Sequence, residues 1–221
     1  MRTIPLMNST KANELCMFDE AAGCNSCVLK NKLDCHFNLF KLLRFILWFF
    51  LIIITGSLAL ILNEFIMEFI IFLILLITFS IIFFEFWEIR ILCSHCPFYA
   101  EEEKTLKCYG NYGSLKLWKY HPEPMSQSEK IQLYVGFLIL FNIILLPSII
   151  LFWNQLILWG FIPVPFFILF LVNIKLKHCS RCPNFSCPFN SVAEEEVNLF
   201  LSKNPIMKEA WKDSTLNKKI D

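Results

Sequence analysis

Two long apolar stretches without any lysine or arginine, residues 45–89 and 131–174, constrain the fold more than any other feature of this chain. They are 45 and 44 residues long. An α-helix needs roughly 20 residues to cross the hydrocarbon core of a bilayer. Each stretch therefore predicts a helical hairpin that crosses the membrane and returns. The composition agrees, because 56% of the residues are hydrophobic and only 18% are charged.

A short polar turn divides each stretch into two predicted helices. Asn63-Glu64 lies in the first stretch, and Asn154-Gln155 lies in the second. The predicted helices are residues 39–62, 65–87, 131–153 and 155–174. The prolines expected to kink the third and fourth helices are Pro147, Pro163 and Pro165. The predicted fold class is an all-α integral membrane protein with four transmembrane helices in two tandem hairpins, which form an internal repeat.

The basic residues predict how the chain is oriented. All 20 Lys and Arg lie outside the two stretches, and neither hairpin turn contains one. The positive-inside rule then places both termini and the central loop in the cytoplasm. The predicted segments are a Cys-rich N-terminal segment (1–38), a first transmembrane hairpin (39–92), a Cys-containing loop (93–130), a second hairpin (131–176) and a Cys-containing tail with short amphipathic helices (177–221).

All ten cysteines fall on this predicted cytoplasmic side, in three groups. The groups are Cys16, Cys24, Cys27 and Cys35 before the first helix, Cys93, Cys96 and Cys108 after the second, and Cys179, Cys182 and Cys187 after the fourth. In a reducing compartment, clustered cysteines are typical of metal ligands or redox-active thiols rather than of structural disulfides. We therefore expect one or more metal sites, holding an iron–sulfur cluster or zinc.

The first group has the symmetric spacing C-x7-C-x2-C-x7-C. A C-x2-C turn can offer two thiolates to one ion, and the outer cysteines can complete a tetrahedral set. We expect Cys24 and Cys27 to form the core of this site.

The other two groups contain three cysteines each, so each needs a fourth ligand or must share a site. His95 and His178 are the candidate ligands, because neutral imidazole is a normal partner of thiolates. Alternatively, the repeat could bring both C-x2-C pairs into one shared site, formed by Cys93, Cys96, Cys179 and Cys182. Cys108 and Cys187 would then be additional ligands or free thiols.

Three cysteines precede proline, in Cys96-Pro97, Cys182-Pro183 and Cys187-Pro188. Cys-Pro recurs at the cluster ligands of bacterial ferredoxins. The chain resembles membrane-bound ferredoxin-like proteins in topology and in these motifs, although the closely spaced ferredoxin run is absent. Because the resemblance stops there, it does not assign the family. From the cysteine groups we expect iron–sulfur electron transfer between a soluble donor and a membrane partner. The alternative is a zinc module that recruits a protein partner to the membrane.

A third hypothesis is thiol–disulfide exchange. Here the chain resembles quinone-linked disulfide-forming enzymes such as the vitamin K epoxide reductase family, which are also small helical membrane proteins with C-x2-C. Those enzymes have shuttle cysteines on the exported side, whereas both predicted exported turns here lack cysteine. This difference ranks thiol–disulfide exchange below metal binding.

Several other functions are disfavoured. The four histidines lie outside the predicted helices, so a bis-histidine haem within the membrane is not expected. Glu68, Glu85 and Glu88 are too few to form an ion pathway. The net charge of +1 offers no basic surface suited to nucleic acid. The expected partners are therefore the lipid bilayer and a cytoplasmic or membrane protein.

Overall fold

The computed structural model describes residues 15–18 and 23–217, and it describes side chains as far as residue 212. The helices are α1 (Leu39–Leu62), α2 (Ile66–Ile82), α3 (Glu88–Ile91), α4 (Gln127–Ile144), α5 (Leu146–Trp153), α6 (Ile157–Phe161), α7 (Pro163–Asn173), α8 (Glu194–Lys203) and α9 (Pro205–Asn217). A π-helix, Phe83–Trp87, joins α2 to α3, and a second π-helix, Ile174–Cys179, continues α7. The described part of the chain contains no β-strand, which confirms the all-helical prediction.

Three helical spans are long and apolar enough to cross a membrane. They are Leu39–Leu62, Ile66–His95 and Ile157–Cys179. The pair α4 and α5 forms a fourth span if the two helices, bent by 50° at their junction, count as one. The predicted limits of the first helix are confirmed. The second and fourth spans run beyond their predicted ends, so that each now includes the first cysteine of a C-x2-C motif.

Proline explains the two breaks in the second hairpin. The 50° bend lies just before Pro147, near the first turn of α5, and α7 begins at Pro163. Proline lacks a backbone N–H and is best tolerated in the first turn of a helix. Pro165 lies inside the first turn of α7, which continues to Asn173.

The two hairpin turns have the same backbone conformation. Glu64 has φ 66° and Gln155 has φ 60°, so a non-glycine residue takes the left-handed region at the same place in both turns. The closing hydrogen bonds are also equivalent, from Phe65 N–H to Leu60 C=O at 3.0 Å and from Leu156 N–H to Leu151 C=O at 2.9 Å. This is the Schellman pattern that ends a helix. The first helix of each predicted hairpin therefore ends in the same way, while the internal repeat stays a prediction.

The hairpins pack side by side, and their contacts are tight where glycine faces a large side chain. Helix α1 packs beside α2 and α7, while α4 packs against α2 and α3. A Cβ atom on Gly136 would lie 2.1 Å from the Phe83 ring, and one on Gly56 would lie 3.1 Å from Pro147. Glycine therefore permits these helices to approach so closely.

A second hydrophobic core lies beyond the bundle, at the end where α1 begins and the second span finishes. It combines Leu29 from the N-terminal segment, Tyr99 and Leu106 from the central loop, and Phe200 and Met207 from the tail. The three cysteine-containing segments thus fold together around one core. We call this assembly the cysteine module.

A candidate cysteine site at one end of the helix bundle

The N-terminal group, Cys16, Cys24, Cys27 and Cys35, begins with a tight C-x2-C turn. Gly23 enters the turn with φ 61°, in the left-handed region that glycine adopts without strain. One turn of 3-10 helix follows at Cys24–Ser26, and the Cys27 N–H donates to the Cys24 carbonyl at 3.3 Å. The local sequence therefore forms the compact turn that its spacing predicts.

The tail of the protein holds the first cysteine of this group in place. The Cys16 N–H donates to Asn204 Oδ1 at 2.8 Å, and Asn204 Nδ2 lies 3.3 Å from Cys16 Sγ. Burial raises the pKa of Cys35 to about 12, and the neighbouring thiols of Cys16, Cys27 and Cys24 contribute to the increase. The four thiols predicted to act together therefore influence one another electrostatically.

The second group of thiols begins at the end of the second span. Cys93 and Cys96 are buried, and a 3-10 turn at Cys93–His95 connects them. The Cys96 N–H donates to the Cys93 carbonyl at 2.9 Å. This turn has the same hydrogen bond as the N-terminal C-x2-C turn.

Cysteines from the loop and the tail approach this turn. Burial raises the pKa of Cys182 well above its usual value, and the charges of Cys96, Cys187 and Cys108 raise it further. We call the five residues Cys93, Cys96, Cys108, Cys182 and Cys187 the thiol centre. Cys179 lies at its edge, where its charge acts on Cys187. Cys108 and Cys187 also raise the pKa of Cys96, so loop and tail thiols lie near one another. A single site shared by Cys93, Cys96, Cys179 and Cys182 stays a prediction.

Backbone N–H groups are directed at the sulfur atoms of the thiol centre. At each Cys-Pro motif the donor is the residue after the proline, namely Phe98 for Cys96, Asn184 for Cys182 and Phe189 for Cys187. The Cys108 sulfur accepts from Gly110 and Asn111. Each of these hydrogen bonds lowers the thiol pKa and so opposes the effect of burial. Donors of this kind stabilise thiolate, the form that binds metals.

Two residues that sequence reasoning did not place in a site lie next to the thiol centre. Glu88 and Asn111 are 6% and 4% exposed. Asn111 Nδ2 donates both to Glu88 Oε2 and to Cys93 Sγ, the latter at 3.0 Å. The available sequence signals were weak: Glu88 precedes Cys93 by five residues, and Asn111 follows Cys108 by three.

The two candidate histidine ligands differ in their surroundings. Both nitrogens of His95 have other partners, since Nδ1 lies 2.7 Å from the Glu123 carbonyl oxygen and Nε2 lies 3.4 Å from Glu129 Oε1. In contrast, Nδ1 of His178 is buried and has no hydrogen-bond partner among the described residues. The His178 ring lies 5.7 Å from the Tyr109 ring, measured between centroids. His178 is therefore the better candidate for an additional ligand.

The N-terminal group and the thiol centre are neighbours. The Asp34 N–H donates to the Arg181 carbonyl at 2.8 Å, which connects the residues preceding Cys35 and Cys182. The Tyr109 hydroxyl donates to the His36 carbonyl at 3.2 Å. Two adjacent thiol groups therefore lie within one folded module.

All ten cysteines are free thiols. As the side chains stand, no three Cys, His, Asp or Glu residues within 15–18 and 23–217 are placed to hold one metal ion. Comparison with models of known protein families, with curated proteins and with solved structures finds no match to this chain.

Proposed function

We propose that this protein is a multi-pass membrane protein that binds metal through its cysteine module and transfers electrons there by iron–sulfur chemistry. The supporting observation is the thiol centre itself. Its thiols are buried or half-buried, and all of them except Cys93 accept hydrogen bonds from backbone N–H groups. Asn111 connects Cys93 to the buried side chain of Glu88. Thiolates in such a place would be costly without a counter-charge, so the thiols stay protonated when metal is absent; a metal ion or cluster would replace the protons and neutralise the thiolates.

Metal binding requires the thiols to turn toward a common centre. A cysteine side chain has one rotatable bond before its sulfur and chooses among three staggered positions. The backbone can therefore stay in place while the sulfur atoms converge. The thiols must also lose their protons, so binding should release protons and become tighter as the pH rises.

Burial argues against thiol–disulfide exchange as the main activity. Burial raises the pKa of Cys96 and Cys108, so these groups remain protonated thiols in the absence of metal. The attacking species in disulfide exchange is the thiolate, and catalytic cysteines normally have lowered pKa values. In the thiol centre the pKa values are raised instead.

Structural zinc is the second candidate, and the N-terminal group supports it. Four cysteines are available there, and Asn204 connects Cys16 to the tail. A closed four-thiolate site of this kind would stabilise the cysteine module rather than exchange electrons. The adjacent thiol centre could then carry the redox function, or could hold a second zinc ion.

The orientation of the cysteine module toward the cytoplasm is part of the proposal. Lys41 and Arg44 near the start of α1, Arg90 in α3, and Lys175 and Lys177 after α7 all lie toward the end of the bundle that carries the cysteines. The positive-inside rule favours the cytoplasm for that end. The reducing conditions there would keep the thiols available for metal.

Anaerobic purification followed by metal and sulfide analysis tests the proposal. We expect iron with acid-labile sulfide, and visible absorption that bleaches on reduction. Zinc without iron would favour the structural alternative. A wild-type protein that contains neither metal, and takes up neither when reconstituted, would refute metal binding. Cys96→Ser should lose metal from the thiol centre.

A further inference from the structure

The central loop runs along the last turns of the second span. Ser114 Oγ donates to Glu85 Oε1 at 2.9 Å. Further along the loop, the centroid of the Trp118 ring lies 5.5 Å from Cζ of Arg90. The loop therefore meets the span at two levels, and residues 115–117 connect these two contacts.

The hairpin turn at Glu64 gives the depth of these contacts. Glu85 and Arg90 follow Glu64 by 21 and 26 residues, which places them roughly 32 and 39 Å from the turn along the helix axis. A bilayer has a hydrocarbon core about 30 Å thick, and the headgroups add roughly 5 to 7 Å on each side. With the turn at one edge of the hydrocarbon core, Ser114 lies within the headgroup region of the opposite leaflet and Trp118 lies at its outer edge.

Several side chains at this level are apolar and exposed. Leu115 and Leu117 expose 52% and 53% of their surface, and Tyr112 and Trp118 are also exposed. Single exposed apolar residues are common on protein surfaces, whereas a group of them marks an interaction site. Tryptophan and tyrosine in particular concentrate where a membrane meets water.

This apolar patch of the loop continues onto the two neighbouring spans. The Tyr112 ring stacks on the Phe37 ring at 4.9 Å between centroids, just before α1 begins at Leu39. Phe40 in the first turn of α1 and Phe86 in the second span are exposed as well. The patch is thus continuous with the apolar surface that the spans present to lipid, which favours the lipid leaflet as its partner.

Charge does not select a particular lipid at this surface. The exposed residues of the loop include Lys104 and Lys119, and also Glu102 and Glu103. The driving force is therefore burial of apolar side chains rather than attraction to anionic headgroups. Interfacial elements of this kind enter the boundary between headgroups and acyl chains by about 5–10 Å.

We infer that the tip of the central loop inserts into the lipid leaflet beside the cysteine module, with Leu115 reaching the acyl chains and Leu117 and Trp118 among the headgroups. The inference rests on the membrane-spanning part of the proposed function and is independent of the metal. A β-bridge joins Thr105 to Leu115, so Cys108 lies within the segment that the bridge closes. Insertion of Leu115 therefore also restrains the loop that carries Cys108.

The experiment introduces the photo-crosslinking amino acid p-benzoylphenylalanine (Bpa) at single positions of the full-length protein in phosphatidylcholine nanodiscs. On irradiation, Leu115→Bpa should form covalent adducts with lipid, which mass spectrometry detects as the added mass of one lipid molecule. His121→Bpa is the matched control from the same loop and should form none. His121 is exposed, and its N–H donates to the Ser94 carbonyl at 2.8 Å. Ser94 lies roughly 45 Å along the helix from the turn, beyond the headgroups.

Ile74→Bpa tests the spans themselves. Ile74 is exposed and lies near the middle of the hydrocarbon core, roughly 15 Å along the helix from the turn. We expect lipid adducts at Ile74 and at Leu115. Absence of lipid adducts at Ile74 would overturn both the inference and the membrane-spanning part of the proposed function.

Three results would overturn the inference while leaving the proposed function intact. The first is lipid adducts at Ile74 without any at Leu115, and the second is equal lipid adducts at Leu115 and His121. The third is a crosslink from Leu115 to protein in place of lipid, because protein would then cover the patch. If Leu115→Bpa does not fold, the Leu117→Bpa result decides.

Discussion

Replacing Asn204 by alanine should open the N-terminal group locally, because this side chain joins the tail to Cys16 across 188 positions of sequence. Asn204 is fully buried. Its Oδ1 accepts from the Cys16 N–H at 2.8 Å, and its Nδ2 donates to the Phe200 carbonyl at 2.7 Å. In Asn204→Ala the Cys16 N–H loses its acceptor and the Phe200 carbonyl loses this donor.

The size of the effect follows from these two hydrogen bonds. Each buried backbone group left without a partner costs about 1 to 3 kcal/mol, so the cysteine module should lose at least about 2 kcal/mol. A loss of 2 kcal/mol in local stability raises the population of the open state by about thirtyfold.

Maleimide labelling of the metal-free protein, resolved by mass spectrometry at Cys16, measures that population when closing is faster than labelling. We expect Asn204→Ala to label at least about thirtyfold faster than the wild type. Asn198→Ala is the control, since Asn198 is exposed on α8, the helix that ends just before Asn204. It should change the rate by no more than about twofold. Equal rates for Asn204→Ala and the wild type would show that the tail does not hold Cys16, and would refute this reasoning.

Three further predictions concern the thiols. Impermeant thiol reagents should label Cys24 and Cys108 only after cells are permeabilised, and labelling in intact cells would contradict the cytoplasmic orientation. Burial raises the pKa of Cys35 from about 9 to about 12. In the metal-free protein the unfolded state loses this proton from about pH 9, whereas the folded state keeps it to about pH 12. The contribution of Cys35 to stability should therefore be complete below about pH 9 and decline from about pH 9 to about pH 12, as measured by thermal unfolding. Cys96→Ala and Cys182→Ala should each remove the same metal equivalent, with no additional loss in the double variant. Additive loss by metal analysis would instead indicate separate sites.

The sequence was sufficient for features that depend on local pattern and on the membrane. Two apolar stretches of about twice the span length determine the hairpins, because only helices satisfy their backbone hydrogen bonds within a bilayer. The turns at Glu64 and Gln155 lie where predicted, and the C-x2-C segments form tight turns because their hydrogen bonds join residues three apart. The predicted metal ligands and the predicted limits of the cytoplasmic segments stay predictions.

Only the tertiary structure decided which side chains meet, because contacts between distant segments depend on packing that no local spacing records. Chain folding around the cysteine module brings Asn204 to Cys16 and Asn111 to Glu88. It also engages both nitrogens of His95 with loop and helix oxygens, which sequence spacing to the cysteines could not reveal. The hydrophobic core shared by the N-terminal segment, the loop and the tail is the physical cause, since burying its apolar side chains holds the three cysteine-containing segments together.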